Sequence, residues 1–160
     1  MIIVHYGELA LKGKNRSHFE RLLRKNIQNK IPDANVKKDM GHVNVDTKIS
    51  NKKATEILTK IPGVEYFSFS EKAELNIESI NKTALAIAKK IHKKTPLKNF
   101  KITTKRRYKD TELDTPTINN KLGFHIGDKL NIPAQMKDPD LNIKVEVVKD
   151  AAFISTEDIR

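Results

Sequence analysis

Between Ile2 and Ser70 the spacing of apolar residues switches repeatedly between a period of two and a period near ~3.6, and the order of those switches leaves few chain paths open. Ile2 to Tyr6 is a short apolar run and reads as a buried strand. The loop that follows, GELALKGKNR, carries Gly7, Lys12, Gly13, Lys14 and Arg16, with Asn15 or Ser17 placed to cap a helix. From there Phe19, Leu22, Leu23, Ile27 and Ile31 make a helical stripe, with Arg21, Arg24, Lys25 and Gln28 on the opposite side. Ile31-Pro32-Asp33 ends that helix, and Asn35 to Lys38 and Val43 to Val45 predict two strands of a hairpin turning at Asp39, Met40, Gly41 and His42. Ser50 caps a second helix with Ala54, Ile57, Leu58 and Ile61 on one side; Pro62-Gly63 stops it before a strand from Val64 to Ser70.

The order βαββαβ is that of the ferredoxin-like, split βαβ arrangement, a four-stranded antiparallel sheet with both helices on one face. It predicts a first domain over 1–72 and a second over 73–160. In the second, Glu71 to Asn76 reads as a polar connection, and Asn76 caps a helix whose stripe is Ile77, Ile80, Ala84, Ile87, Ala88 and Ile91. Phe100, Ile102 and Thr104 then alternate with Lys101, Thr103 and Lys105 as a strand, which puts Lys101 and Lys105 on one wet face. Thr115-Pro116 starts a further helix along Ile118, Leu122, Ile126 and Leu130, with Gly123 and Gly127 suggesting tight backbone packing. Ile143, Val145 and Val147 belong to the first strand of a closing hairpin and Ala151 to Ser155 form the second. Thr156 to Arg160 is polar and supplies no closing element, as expected of a chain that continues into a further domain. The fold class is therefore α+β, a ferredoxin-like βαββαβ domain followed by an α/β domain.

Charge narrows the partner. Lys and Arg total 31 against 20 acidic residues, a net +11, which favours a polyanion, with nucleic acid ahead of an anionic membrane. The absence of Cys excludes disulfides, thiolate metal sites and a cysteine nucleophile. No apolar run is long enough to span a bilayer and MIIVHYGE lacks signal-peptide character, so a cytoplasmic location without membrane association is expected. The densest cationic stretch is Lys105, Arg106, Arg107 and Lys109 around Tyr108, next to a helix start. Lysine and arginine there suit phosphates, Tyr108 offers a stacking surface, and Asn119 and Asn120 in the first turns of the helix offer hydrogen bonds to a base or phosphate. Lys12, Lys14 and Arg16 form an auxiliary loop for contact with RNA or with a neighbouring domain. The five histidines stand at no metal-ligand spacing, so no metal site is expected.

Tyr6-Gly7-Glu8-Leu9-Ala10-Leu11-Lys12-Gly13-Lys14-Asn15-Arg16 resembles the N-terminal signature of the tRNA 4-thiouridine synthase family, ThiI. Phe100-Lys101-Ile102, Lys105-Arg106, Asn119, Gly123, Pro139-Asp140, Ile143, Val145-Glu146-Val147 and Ala152-Phe153-Ile154 resemble a THUMP domain. The resemblance implies an N-terminal ferredoxin-like domain and a THUMP domain of an enzyme that transfers sulfur to the uridine at tRNA position 8. THUMP would hold the 3′ ACCA end of the acceptor stem. It also implies that adenylation, with ATP and Mg, belongs to a PP-loop domain of the Ser-Gly-Gly-x-Asp-Ser type, a motif absent from this chain. No catalytic residue and no cofactor are expected in this stretch; a sulfur donor protein and a homodimer are implied for the full-length enzyme.

Two other functions fit parts of the pattern. One is a stand-alone RNA-binding adaptor module. The other is an acylphosphatase-like phosphate hydrolase on the first domain, with Gly13 and Arg16 holding phosphate and Asn44 supplied by a central strand.

Overall fold

The run Ile2–Tyr6 forms a strand, β1, buried along its whole length. Its residues alternate between two covered faces, as a central strand requires. The computed structural model describes residues 1–7, 15–39 and 41–160. They divide into two units, Met1–Phe69 with Asp158–Arg160, and Ser70–Glu157.

In the first unit β1 is followed by α1 (Asn15–Lys30), β2 (Asn35–Asp39), β3 (His42–Asp46), α2 (Asn51–Leu58) and β4 (Val64–Phe69). The sheet order is β2-β3-β1-β4, and every pair is antiparallel. This is the predicted ferredoxin-like arrangement. Val4 sits between Val43 and Phe67, and these side chains pack with Leu23, Ile27, Ala54 and Leu58 from the helices. Ser50 caps α2 by accepting from the Lys53 amide, as expected. Gly63, at φ +94, has no room for a side chain, since a Cβ would lie 2.7 Å from the Phe19 ring.

The stripe on α1 differs from the one read in the sequence. Leu22 is 48% exposed, whereas Glu20, not counted in the stripe, is 1% exposed. On a helix Glu20, Leu23 and Ile27 stand at spacings of three and four and share a face, and Leu22 lies to its side. The C-terminal residues also depart from expectation. The segment taken to close nothing bridges β4: Phe67 and Ile159 exchange backbone hydrogen bonds of 3.0 and 2.8 Å, and the Arg160 guanidinium lies 4.9 Å from the centre of the Tyr66 ring.

The second unit contains β5 (Glu71–Ala73), α3 (Ile77–Lys94), β6 (Phe100–Arg106), α4 (Thr115–Leu130), β7 (Leu141–Val147) and β8 (Ala152–Ser155) in the order β5-β8-β7-β6. Part of the supposed connection is therefore a strand, with Glu71, Lys72 and Ala73 opposite Ile154, Phe153 and Ala152. The predicted hairpin is present as β7–β8, while β6 and β7 run parallel, joined by α4. Ile80, Ala84 and Ala88 of α3 and Ile118, Leu122 and Ile126 of α4 pack on Phe100, Ile102, Ile143, Val145 and Ile154. Both helices thus cover one face of this sheet. Asn76 caps α3, as predicted, through the Ser79 amide. Asp114, not Thr115, caps α4: its carboxylate accepts from the Thr117 amide at 2.8 Å, which moves Thr115 and Pro116 into the first turn.

The two helical glycines separate. A Cβ on Gly127 would lie 3.2 Å from the Ile132 carbonyl and 3.7 Å from the Phe100 ring, so close packing explains it. Gly123 has nothing within 4 Å of that position, and the packing expected there is absent.

Candidate nucleic-acid interface

Strand geometry divides the basic cluster that looks continuous in the sequence. Phe100 and Ile102 face the helices, and Thr104 does too, donating from Oγ1 to Asn119 Oδ1 of α4 at 2.7 Å. Lys101, Thr103 and Lys105 must then point to the other face. In the parallel register Lys101 lies opposite Asn142, Thr103 opposite Lys144 and Lys105 opposite Glu146. Thr103 Oγ1 donates to Asn142 Oδ1 at 2.8 Å, tying the two strands together on that face.

The alternation continues into the arginines. Arg106 follows Thr104 to the helix side and donates from Nη2 to the carbonyls of Lys109 at 2.8 Å and Thr111 at 3.4 Å. It thereby folds the segment leading to α4. Its charge also helps hold the exposed Asp114 carboxyl below the usual range, behind the larger effect of the hydrogen bonds from Thr117. Arg107 turns to the opposite side and pairs with Glu146, and both side chains are mostly covered. The amides of Arg107 and Tyr108 share the Val147 carbonyl, at 2.9 and 3.2 Å, which fixes the chain as it leaves the sheet.

Lys105 and Lys109 are exposed, Lys101 and Tyr108 are half-buried, and Asn120 is exposed at the start of α4. None of these three lysines forms an ion pair with another described residue. The structure thus brings Lys101, Lys105 and Arg107 to one face, assigns Arg106 and Asn119 to the other, and leaves Lys101, Lys105 and Lys109 without ion partners among the described residues. Lys101 and Lys105 stand ~13 Å apart along the strand, so they would meet different phosphates of a polynucleotide.

Lys12, Lys14 and Gly13 lie outside the described residues. Arg16 is described, and its surroundings involve residues that the sequence reading did not connect. Tyr6 Oη donates to Glu20 Oε1 at 2.5 Å, Arg16 Nε donates to the same oxygen at 3.1 Å, and Lys38 Nζ lies 2.6 Å from Oε2. No well-aligned hydrogen bond reaches Oε2, so the ammonium charge is what satisfies that buried atom. Burial raises the Glu20 carboxyl, but Lys38, Tyr6 and Arg16 together outweigh it and hold it at about 2. Burial, and then the bond to Glu20, raise the Tyr6 hydroxyl. The signal that could have found this cluster is a carboxylate in register with Leu23 and Ile27 on an otherwise apolar stripe. Asn44, offered for the hydrolase, donates instead to Asp39 at 3.2 Å.

Among the described residues no group of three or more His, Cys, Asp or Glu side chains is placed to hold a metal ion. No described helix is long and apolar enough to cross a membrane.

The fold defines a two-unit α+β protein whose second unit carries exposed lysines without ion partners among the described residues. Comparison with known proteins places it further. Residues 1–68 match the ThiI ferredoxin-like domain and residues 74–157 match the THUMP domain. The chain belongs to the THUMP domain family, with its THUMP domain following a ThiI ferredoxin-like domain. A probable tRNA sulfurtransferase of Streptococcus agalactiae is 41% identical over 165 residues, covering 99% of this chain and 40% of that protein. The crystal structure of PH1313 from Pyrococcus horikoshii is 29% identical with a TM-score of 0.86, covering 99% of this chain and 54% of that one. A 4-thiouridine synthetase–RNA complex with bound ATP is 29% identical with a TM-score of 0.83, covering 99% of this chain and 41% of that one. The chain spans about 40% of the length of the curated relatives it matches. With residues 1–68 matched in this way and Asn44 engaged by Asp39, nothing in the first unit favours the acylphosphatase-like reading.

Proposed function

We propose that this chain is the tRNA-holding part of a tRNA sulfurtransferase that makes 4-thiouridine at tRNA position 8, with the THUMP domain gripping the single-stranded 3′ ACCA end. The observation that carries the reading is the likeness, over 99% of this chain, to a 4-thiouridine synthetase solved with RNA. The uncommitted cations of the second unit agree with it. Lys101, Lys105 and Lys109 contact different phosphates, Tyr108 stacks on an unpaired base, and Asn119 and Asn120 present amides from α4. Arg106 and Arg107 contribute mainly by holding the segment that carries Tyr108 and Lys109.

The role is geometric: one end of the tRNA is fixed so that a base elsewhere reaches a reaction centre. The chain contains no Ser-Gly-Gly-x-Asp-Ser loop, and no chemical step is assigned to its residues. Adenylation, a sulfur donor protein, a homodimer and a cytoplasmic location belong to the same proposal for the whole enzyme.

The test is binding of tRNA across a salt series. Changing Lys101, Lys105 and Lys109 together to Ala is expected to weaken binding at least ~10-fold at low salt. It should also flatten the slope of log affinity against log salt by about 2, the effect of losing three contacts to a single strand. Trimming the 3′ end should weaken binding more than altering the anticodon. Equal affinity of the parent and the triple variant would remove this surface, and equal affinity for the two altered tRNAs would remove end recognition.

A further inference from the structure

The cluster around Glu20 has a feature that a simple ion pair lacks: one buried carboxylate holds two half-exposed cations. Tyr6 and Glu20 are 5% and 1% exposed, whereas the side chains of Arg16 and Lys38 retain 49% and 47% of their surface. These cations come from different elements, Arg16 from the first turn of α1 and Lys38 from β2, the edge strand of its sheet. Like charges on long side chains ordinarily move apart in water, at little energetic cost. Here a single carboxylate, whose oxygens are a fixed short distance apart, holds both heads close together.

Neither cation is used up by that contact. Arg16 engages Glu20 through Nε, with the Tyr6 hydroxyl beside its guanidinium, and Lys38 faces a single oxygen with an ammonium that carries three protons, so both retain donors for a second acceptor. Among the described residues of the cluster, two positive charges against one negative leave an excess of one at the surface. An anion arriving there does not have to fix two long side chains, a saving that appears directly as affinity. The guanidinium fork and the ammonium point charge are the two groups that most often take phosphate oxygens.

We propose that Arg16 and Lys38, held together by Glu20, form a phosphodiester-binding site on the first unit, with Glu20 as its positioning residue. The site is built from residues of the first unit alone and rests on the reading of the chain as an RNA binder. The ligand group is one backbone phosphate of the bound RNA.

The sign of one substitution tests it. Glu20→Gln raises the net charge from +11 to +12, so attraction by charge alone would tighten RNA binding. Loss of positioning predicts the opposite. With a tRNA acceptor minihelix bearing its single-stranded 3′ end, Glu20→Gln should weaken binding about 5-fold, and Arg16→Ala and Lys38→Ala about 5-fold each. Adding Glu20→Gln to Lys38→Ala should cost less than it does alone, because the pair is already broken. Tyr6→Phe removes the hydrogen bond to Glu20 and the hydroxyl beside Arg16 but leaves both ion pairs, so it should lower Tm and weaken binding less than either cation variant. Should Glu20→Gln fail to fold, the two single cation variants decide, since each leaves Glu20 one charged partner. Undiminished binding by Arg16→Ala and Lys38→Ala, or tighter binding by folded Glu20→Gln, overturns the site while RNA binding stands. A parent chain that does not bind the minihelix overturns both.

Discussion

The two units solve the same packing problem, a four-stranded sheet with helices on one face, and treat charge differently inside it. The first buries Glu20, His5 and His42 among its apolar residues. In the second, the buried polar side chains among the described residues are Ser70 and Ser155. The first unit thus spends part of its cationic surface on a fully buried anion, whereas the partly covered Glu146 of the second is met by Arg107 from its own segment. Lys101, Lys105 and Lys109 are accordingly left without ion partners, while Arg106 and Arg107 are employed in shaping their own segment. A count of basic residues cannot distinguish these two uses; the burial of one carboxylate does.

The largest effect expected to sharpen this contrast is the response to acid. Glu20 has an ordinary value of 4.5, lowered to about 2 in the folded chain, with Tyr6, Arg16 and Lys38 facing it. A depressed carboxyl contributes stability that is complete above its unfolded value and is lost as pH falls through its folded value. Glu20→Gln should therefore destabilise the first unit by about 2 kcal/mol near neutral pH, the scale of hydrogen bonds to a charged group. The difference from the parent should close between 4.5 and 2. Thermal melts across that range check it, with a probe in each unit. A gap that stays constant with pH would mean that the carboxylate charge contributes nothing, and the contrast between the units would fail.

Much of this was legible in the sequence, and the omissions have physical causes. Strands and helices with a clear period, such as β6 with Phe100 and Ile102 inward and α3 with Ile80, Ala84 and Ala88, are found where the pattern puts them. Glu20 was missed because a charged residue on a helix is normally assigned to water, and nothing local reveals that Tyr6 and Lys38 will arrive from other strands. β5 was missed because three residues, two of them charged, carry no period and are a strand only through β8. Ile159 is a single apolar residue in a polar tail, and its pairing with Phe67 is set by tertiary position. The splitting of the basic cluster was available in principle. The alternation puts Lys101 and Lys105 on one face, and extending it by two residues separates Arg106 from Arg107.

A smaller effect concerns the junction between β6 and α4, where the second unit uses its arginine locally. Asp114 caps α4 and lies within the field of Arg106, which also binds the carbonyls of Lys109 and Thr111. Asp114→Ala should cost about 1 kcal/mol, the usual value of a cap. It should weaken RNA binding less than the lysine substitutions do, because the cap orders the segment and meets no phosphate. Urea denaturation and the minihelix titration together check this. An RNA effect equal to that of the triple lysine variant would mean that the order of this segment, not its lysines, determines binding.

The smallest effect has the opposite sign and compares two positions on one helix. Gly127 cannot accept a Cβ without displacing the Ile132 carbonyl, which lies 3.2 Å away on backbone that also closes the end of α4. The gain in helix propensity on changing Gly127 to Ala is offset there by that contact, and stability should change little or fall. Gly123 meets nothing within 4 Å, so the same change should stabilise the unit by roughly 0.5–1 kcal/mol. The protein retains a glycine where the fold gains by losing it, so the open space at Gly123 is not required by packing. If RNA lies close to this side of α4, Gly123→Ala will raise Tm and still weaken minihelix binding, because an added methyl obstructs an approaching backbone or base. If Tm rises and affinity is unchanged, the ligand passes elsewhere, and contact by Asn119 and Asn120 loses its nearest neighbour on the helix as support.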